Sequence, residues 1–497
     1  MSFPPGFVWG AASSAFQIEG AHDADGKGPS NWDAFGHDRP DHAPPGGIAA
    51  PNVYMRHTGD VACDHYHRFP EDVALMKAIG LQAYRFSISW PRVIPDGLGA
   101  VNDRGLAFYD RLVDALLAAG ITPWVTLYHW DTPLALWDRG SWLNPDIPHW
   151  FARYTHAVVD RLSDRVTHWI TLNEPQIFLG PGEHEGLQTS NARRGHAERL
   201  RAAHNALLAH GHAVQVIRAR ARSAPSVGWA PIGRAKVPVG GCELIPSSGS
   251  THPDAADRPL APRPEDVEAA RIATHAVIHK DFWNNAWFAD PVFLGHYPED
   301  GLRLFAHDAP RPAPGDMETI RQPLDFYGIN VYDAELVRMG HDHKPHRVDF
   351  PPGHARNALG WFVCPEALYY TPRFLYERYR CPMVITENGF SAHDWVDLDG
   401  RVRDPQRIDY TRRYLRQLRR AIAEATDVRG YFHWSIMDNF EWQCGYRERF
   451  GLIHVDYTTL RRTLKDSAHW YARVIATRGQ ALDHSPEAVL SDSPPAA

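Results

Sequence analysis

Short apolar, often β-branched runs alternate with segments of helical period along almost the whole chain. The runs predict strands at residues 8–12, 83–89, 123–128, 169–173, 227–231, 326–331, 384–387 and 430–434. Between them, Leu106, Tyr109, Leu112, Val113 and Leu116 repeat at helical spacing, and Gly120 follows as a C-terminal stop. Asp404 and Pro405 make an N-cap and first-turn pair ahead of Ile408, Leu415, Leu418 and Ile422, while Leu464, Ala468, Tyr471 and Ile475 form a last amphipathic face. Eight strands separated by helices predict an α/β chain folded as a single (β/α)8 TIM barrel with long βα loops around its mouth. The barrel is expected over residues 1–480. Two stretches rich in Pro and Gly, 38–60 and 234–264, read as rim loops, and 481–497, rich in Pro and Ser, reads as a disordered tail.

Two of the strands end in the same unusual way. Trp169-Ile170-Thr171-Leu172 runs into Asn173, Glu174 and the strand-ending Pro175, and Met383-Val384-Ile385-Thr386 runs into Glu387 before Asn388-Gly389 turns the chain. A carboxylate at the end of a buried strand is costly unless it is paired or used. Taken singly, each glutamate could cap a helix or pair with an arginine. Taken together, they match the need of glycosidic cleavage for two carboxyl groups flanking the scissile bond.

Composition narrows the field. The chain has 497 residues, 44% hydrophobic and 22% charged, with a formal charge of -7, which argues against a phosphate-tracking nucleic-acid binder. The N-terminus shows no basic and apolar leader pattern, and no stretch reaches the length of a membrane span, so a cytoplasmic protein without a membrane partner is expected. Cys63, Cys242, Cys364, Cys381 and Cys444 are widely spaced, and point to neither a disulfide framework nor a thiolate metal cage. His341, His343 and His346 form a tract without ligand spacing and read as a solvated loop. No metal and no cofactor are expected. The 17 tryptophans suit the apolar faces of sugars, although most would serve a barrel core.

The contexts Thr-Leu-Asn-Glu-Pro at Glu174 and Ile-Thr-Glu-Asn-Gly at Glu387 resemble the acid/base and nucleophile signatures of glycoside hydrolase family 1, the retaining β-glucosidase family, and the resemblance runs from Phe7 to about Tyr471. It implies roles for further residues. Arg85, in Tyr84-Arg85-Phe86-Ser87, would pair with the nucleophile Glu387 and favour its ionised form. Asn330 and Tyr332, on one face of their strand, would position that nucleophile. Gln17, His129, Trp130 and Asn173 would hold sugar hydroxyls, Asn173 at the 2-hydroxyl. In the run from His433 to Phe450, Trp434 would form a stacking floor, Glu441 and Trp442 would bind hydroxyls, and Phe450 would complete the wall. An intact Glu441-Trp442 points to unphosphorylated sugar, because phospho-glycosidases of the family replace it.

The implied activity is β-glycoside hydrolysis, foremost of terminal β-D-glucosyl residues, by double displacement. At about 5 Å separation and an effective dielectric near 20, two carboxylates repel by on the order of 3 kcal/mol, so one keeps its proton. A small β-glycoside is the expected partner, and association into a homo-oligomer stays open. Rival readings are a β-galactosidase or β-fucosidase of the same family, a thioglucosidase, a metal-dependent hydrolase and a non-catalytic sugar-binding protein. Glu174 and Glu387 are both retained, which argues against the thioglucosidase and non-catalytic readings. The stretch 180–186 departs from the family's usual run, and Ser141 stands where a glycine is common. Both lie near the expected entrance and bear on aglycone preference.

Overall fold

The structure, a computed structural model, describes residues 2–37, 53–179, 195–242 and 262–491. Thirteen strands are described: β1 Val8–Ala12, β2 Ala83–Ser87, β3 Thr122–Tyr128, β4 His168–Asn173, β5 Ser226–Ala230, β6 Ala235–Pro238, β7 Phe326–Asn330, β8 Ala334–Met339, β9 Pro345–Val348, β10 Met383–Asn388, β11 Val428–Trp434, β12 Ile453–Val455 and β13 Arg462–Leu464. Eight of them close a barrel in the order β1-β11-β10-β7-β5-β4-β3-β2, every pair parallel. These eight are the strands expected from the sequence, within two residues at each boundary. β12 and β13 pair antiparallel, and β6, β8 and β9 form a small separate sheet.

Every barrel strand reaches a shared interior cluster, with Ala12, Ala83, Trp124, Ile170, Ala230, Phe326, Val384 and, from β11, both Phe432 and Trp434. The alternation of small and large side chains lets the layer close. Trp124 meets Phe326 and Phe432 with ring centroids 5.1 and 5.0 Å apart. The space for these rings comes from glycine: a β-carbon on Gly10 would stand 2.5 Å from the Phe432 ring, and one on Gly228 would stand 2.4 Å from Phe326. A second, larger cluster packs the outer faces of the strands under the helices.

The helix Asp103–Ala118 buries Leu106, Tyr109, Leu112, Val113 and Leu116, and Gly120 at φ +79° ends it, with the Ile121 N–H donating back to Leu116. Asp404 does precede the helix Pro405–Ala423, but its carboxylate makes no capping bond. It accepts instead from Arg407 and from the N–H and hydroxyl of Ser467. Arg407 of the same helix and Ser467 of another outcompete the local backbone.

Two boundary expectations change, and others fall outside the described residues. Residues 38–52 and 243–261 of the expected rim loops, and 180–194, lie outside the described residues. The stretch 234–264 is not all loop, since it opens with β6 and closes at the start of the helix Pro264–His275. The expected disordered tail is structured as far as Ser491: Leu482 and Val489 are buried, Pro486–Ser491 is helical, and Arg412 donates to the Leu482 carbonyl at 3.0 Å. Composition weighed the Pro and Ser residues and missed two apolar anchors. Residues 492–497 lie outside the described set. The histidine tract forms the β8–β9 hairpin, where His346 hydrogen-bonds Asp342 at 2.8 Å. Among the described residues no helix is long and apolar enough to cross a membrane.

Candidate active site

β4 and β10 both break their ladders just before the glutamates. The β4–β5 register shifts between Ile170 and Asn173, and the β10–β7 register shifts between Ile385 and Glu387. Such irregularities re-aim the next side chain. Glu174 and Glu387 leave their strands at the C-terminal rim and line one cavity of about 180 Å3. Glu174 sits at φ +47°, with its N–H donating to Ala230 at 2.8 Å. A non-glycine residue held in this region is strained, and such strain gathers at working sites.

Hydrogen bonds connect the two carboxyls through intermediates. Arg85 Nη1 donates to Glu387 Oε1 at 2.6 Å, and its Nη2 donates to Asn173 Oδ1 at 2.6 Å. Asn330 Nδ2 donates to that same Asn173 oxygen at 3.0 Å and to Glu174 Oε1 at 2.9 Å. The Tyr332 hydroxyl donates to Glu387 Oε2 at 2.7 Å. Thr386 Oγ1 donates to Asn330 Oδ1 at 2.7 Å and so fixes which end of that amide faces Glu174.

The sequence paired Asn330 with the nucleophile; its amide donates to Glu174 and also helps to lower the Glu387 carboxyl. The register shift in β10 sets Glu387 opposite Asn330 across the β10–β7 pair. The pairing of Arg85 and Tyr332 with Glu387 is as expected.

Burial raises the proton affinity of both carboxyls. Glu174 is pushed well above the ordinary range, first by burial and then by the charge of Glu387. Glu387 is also raised by burial, which outweighs the opposing pull of Arg85 and of the Tyr332 hydroxyl. Arg85 does favour the ionised form of Glu387, in the direction expected, but burial weighs more. The order of the pair is nevertheless clear, with Glu174 the better proton holder, because the cation sits on Glu387.

Ten of the thirteen residues singled out in the sequence line the cavity: His129, Trp130, Glu174, Asn330, Tyr332, Glu387, Trp434, Glu441, Trp442 and Phe450. Gln17, Arg85 and Asn173 stand behind that wall, all fully buried. Gln17, expected to face sugar hydroxyls, donates to Asn439, Phe440 and Glu441 and accepts from Ser14. Asn173 contacts His129 Nε2 at 3.1 Å through its Nδ2. Buried amides take the nearest partners.

Trp434 stacks on His129 at 5.7 Å and 16°, and Trp130 packs on Trp442 at 4.5 Å, which makes one wall aromatic. His129 is held neutral by burial and by Arg85. Burial, with Glu448 and Glu387 nearby, pushes the Glu441 carboxyl up to about 8.

Motif reading missed several contributors. Trp361, Trp283, Arg234 and Ile177 also line the cavity. Tyr410 and Tyr414 both donate to the Tyr332 carbonyl at 2.9 Å. They lie on the helix Pro405–Ala423, and no motif marks them. Four lining residues, Arg234, Trp283, Asp333 and Trp361, are shared with an adjoining groove of about 810 Å3.

Comparison with known proteins agrees with this geometry. The family described as "Glycosyl hydrolase family 1" matches residues 1–480. Beta-glucosidase A of Thermotoga maritima is 40% identical over 479 residues, covering 96% of this chain and 98% of the relative. A beta-glucosidase of Agrobacterium is 41% identical over 478 residues, covering 95% and 94%. The solved structure of beta-glucosidase from Thermotoga maritima in complex with glucoimidazole superposes with a TM-score of 0.81 at 39% identity, covering 96% of this chain and 99% of that one. Full-length similarity at this level and a closed barrel carrying two glutamates at strand ends lead to one assignment: the chain belongs to glycosyl hydrolase family 1 and is a glycoside hydrolase.

Proposed function

We propose that the enzyme is a retaining β-glucosidase that removes terminal non-reducing β-D-glucosyl residues from short oligosaccharides and from aryl or alkyl glycosides. The observation that carries the reading is the asymmetry of the two carboxyls in one cavity: Glu174 holds its proton more firmly, and Glu387 is gripped by a cation and a phenol. The relatives' names, beta-glucosidase at about 40% identity, support glucose as the glycone.

In the first step Glu387 attacks the anomeric carbon while Glu174 gives its proton to the departing oxygen. A glycosyl ester on Glu387 and a free alcohol result. In the second step the ionised Glu174 takes a proton from water, the water oxygen bonds to the anomeric carbon, and Glu387 departs. Asn330, Arg85 and Tyr332 hold both groups in place throughout. The aromatic wall of Trp434 and Trp442 offers stacking surface to the sugar, and Glu441 supplies a carboxyl to its hydroxyls.

Five cysteines, none disulfide-bonded, persist as thiols in a reducing cytoplasm, which is where we place the enzyme. Proton NMR during hydrolysis of p-nitrophenyl β-D-glucoside tests the proposal. The β-anomer of glucose is expected to appear first. An initial α-anomer would refute retention, and faster turnover of the galactoside or fucoside would move the glycone assignment.

A further inference from the structure

Beyond the cavity, the chain leaving β6 reaches Cys242, and the segment ahead of the helix Ala367–Tyr379 carries Cys364 and, at the helix N-cap position, Glu366. The three side chains are buried, at 1%, 0% and 3% exposure. Among the described residues theirs is the group of cysteine, histidine and carboxylate ligand atoms that falls within 4.8 Å of one another. We propose that Cys242, Cys364 and Glu366 form a site for zinc or a similarly thiophilic divalent cation, which pins the small sheet to this helix.

Cys364 Sγ lies 3.8 Å from Glu366 Oε2. A tetrahedral zinc ion with sulfur at about 2.3 Å and oxygen at about 2.0–2.2 Å sets those two ligands roughly 3.5 Å apart, so this pair needs a shift of only about a few tenths of an ångström. Behind the carboxylate, Gln417 Nε2 donates to Glu366 Oε1 at 3.3 Å, while Gln417 Oε1 is buried without a partner among the described residues. The amide orients the carboxylate as outer partners of metal ligands do, and a cation-bound water would supply the hydrogen bond that its oxygen lacks.

Charge fits as well. Binding releases one proton from each thiol, and a divalent ion with two thiolates and a carboxylate carries a net charge of -1, which suits the positive N-terminal end of the helix. The site also touches the catalytic frame at one remove. The Cys364 N–H donates to the Tyr414 hydroxyl at 2.9 Å, and Tyr414 donates to the Tyr332 carbonyl at 2.9 Å. A bound ion therefore stabilises the frame without taking part in hydrolysis.

The test is Co2+ titration of the full-length, untagged, reduced and chelator-stripped enzyme. About one equivalent should bind, with a thiolate-to-cobalt charge-transfer absorption that Zn2+ abolishes, and Zn2+ should raise the melting temperature. Cys364→Ser and Cys242→Ser should lose the absorption yet hydrolyse an aryl β-glucoside at the wild-type rate, which certifies their fold. Gln417→Leu should weaken Co2+ binding by about tenfold or more. If the serine variants fail to fold, Glu366→Gln carries the test through loss of affinity. The proposal is overturned if the reduced wild type shows no such absorption, or if the double serine variant keeps it. It is also overturned if the purified protein is two hydrogens lighter than the reduced chain, which would reveal a disulfide.

Discussion

Glu174 and Glu387 differ in what surrounds them more than in how deeply they are buried. Both line the same cavity, yet Arg85 and Tyr332 donate to Glu387, while Asn330 donates to Glu174. Replacing Glu387 by Gly should abolish hydrolysis, and azide should restore turnover by entering the vacated space to give the α-glucosyl azide. Undiminished hydrolysis in that variant removes Glu387 as nucleophile. Glu174→Ala should slow substrates with poor leaving groups by roughly 10²–10⁴-fold while leaving the first step on dinitrophenyl glucosides nearly intact. Equal losses on both would count against its role as the acid. Because the charge of Glu387 helps to raise the Glu174 carboxyl, Glu387→Gln should move the Glu174 titration to lower pH. Carbon-13 NMR of labelled glutamate reads that shift in the inactive protein, and an unmoved titration would show that the two groups do not communicate.

At the scale of the element, the barrel strands were legible because a parallel strand covered on both faces is a short apolar run, which no amphipathic helix resembles. The ladder breaks in β4 and β10 were not legible, since a register shift depends on the neighbouring strand and leaves no mark in local composition. The same limit hid the hydrogen bond from Asn330 to Glu174 and those of Gln17 with Ser14 and Asn439. Glycines in the strands, by contrast, signal close approach once the fold is known. Gly228→Ala should destabilise the protein by about 1–3 kcal/mol, because the new methyl group meets the Phe326 ring, and denaturant unfolding would measure it. The double change Gly228→Ala with Phe326→Leu should recover part of that loss if the clash is the cause.

Over the whole molecule, stability carries a pH signature set by buried histidines. His210 and His433 are fully buried, and burial lowers both to about 3. Unfolding frees each to take a proton near pH 6.5, so their stabilising contribution is complete above that pH and is lost progressively as pH falls toward 3. Each should cost on the order of 2 kcal/mol between pH 8 and pH 5, visible as a falling melting temperature over that range. A melting temperature that stays level from pH 8 to 5 would show that these histidines protonate in place. The sequence by itself determined the class of fold and the two glutamates, because strand periodicity and side-chain chemistry are local properties, and its resemblance to the family marked half of the cavity wall. The tertiary structure alone decided that the Asn330 amide would reach Glu174, where Leu482 and Val489 docked, and that Cys242 and Cys364 would meet. Those outcomes rest on contacts between residues remote in the chain, and their energies exist only once the barrel has closed.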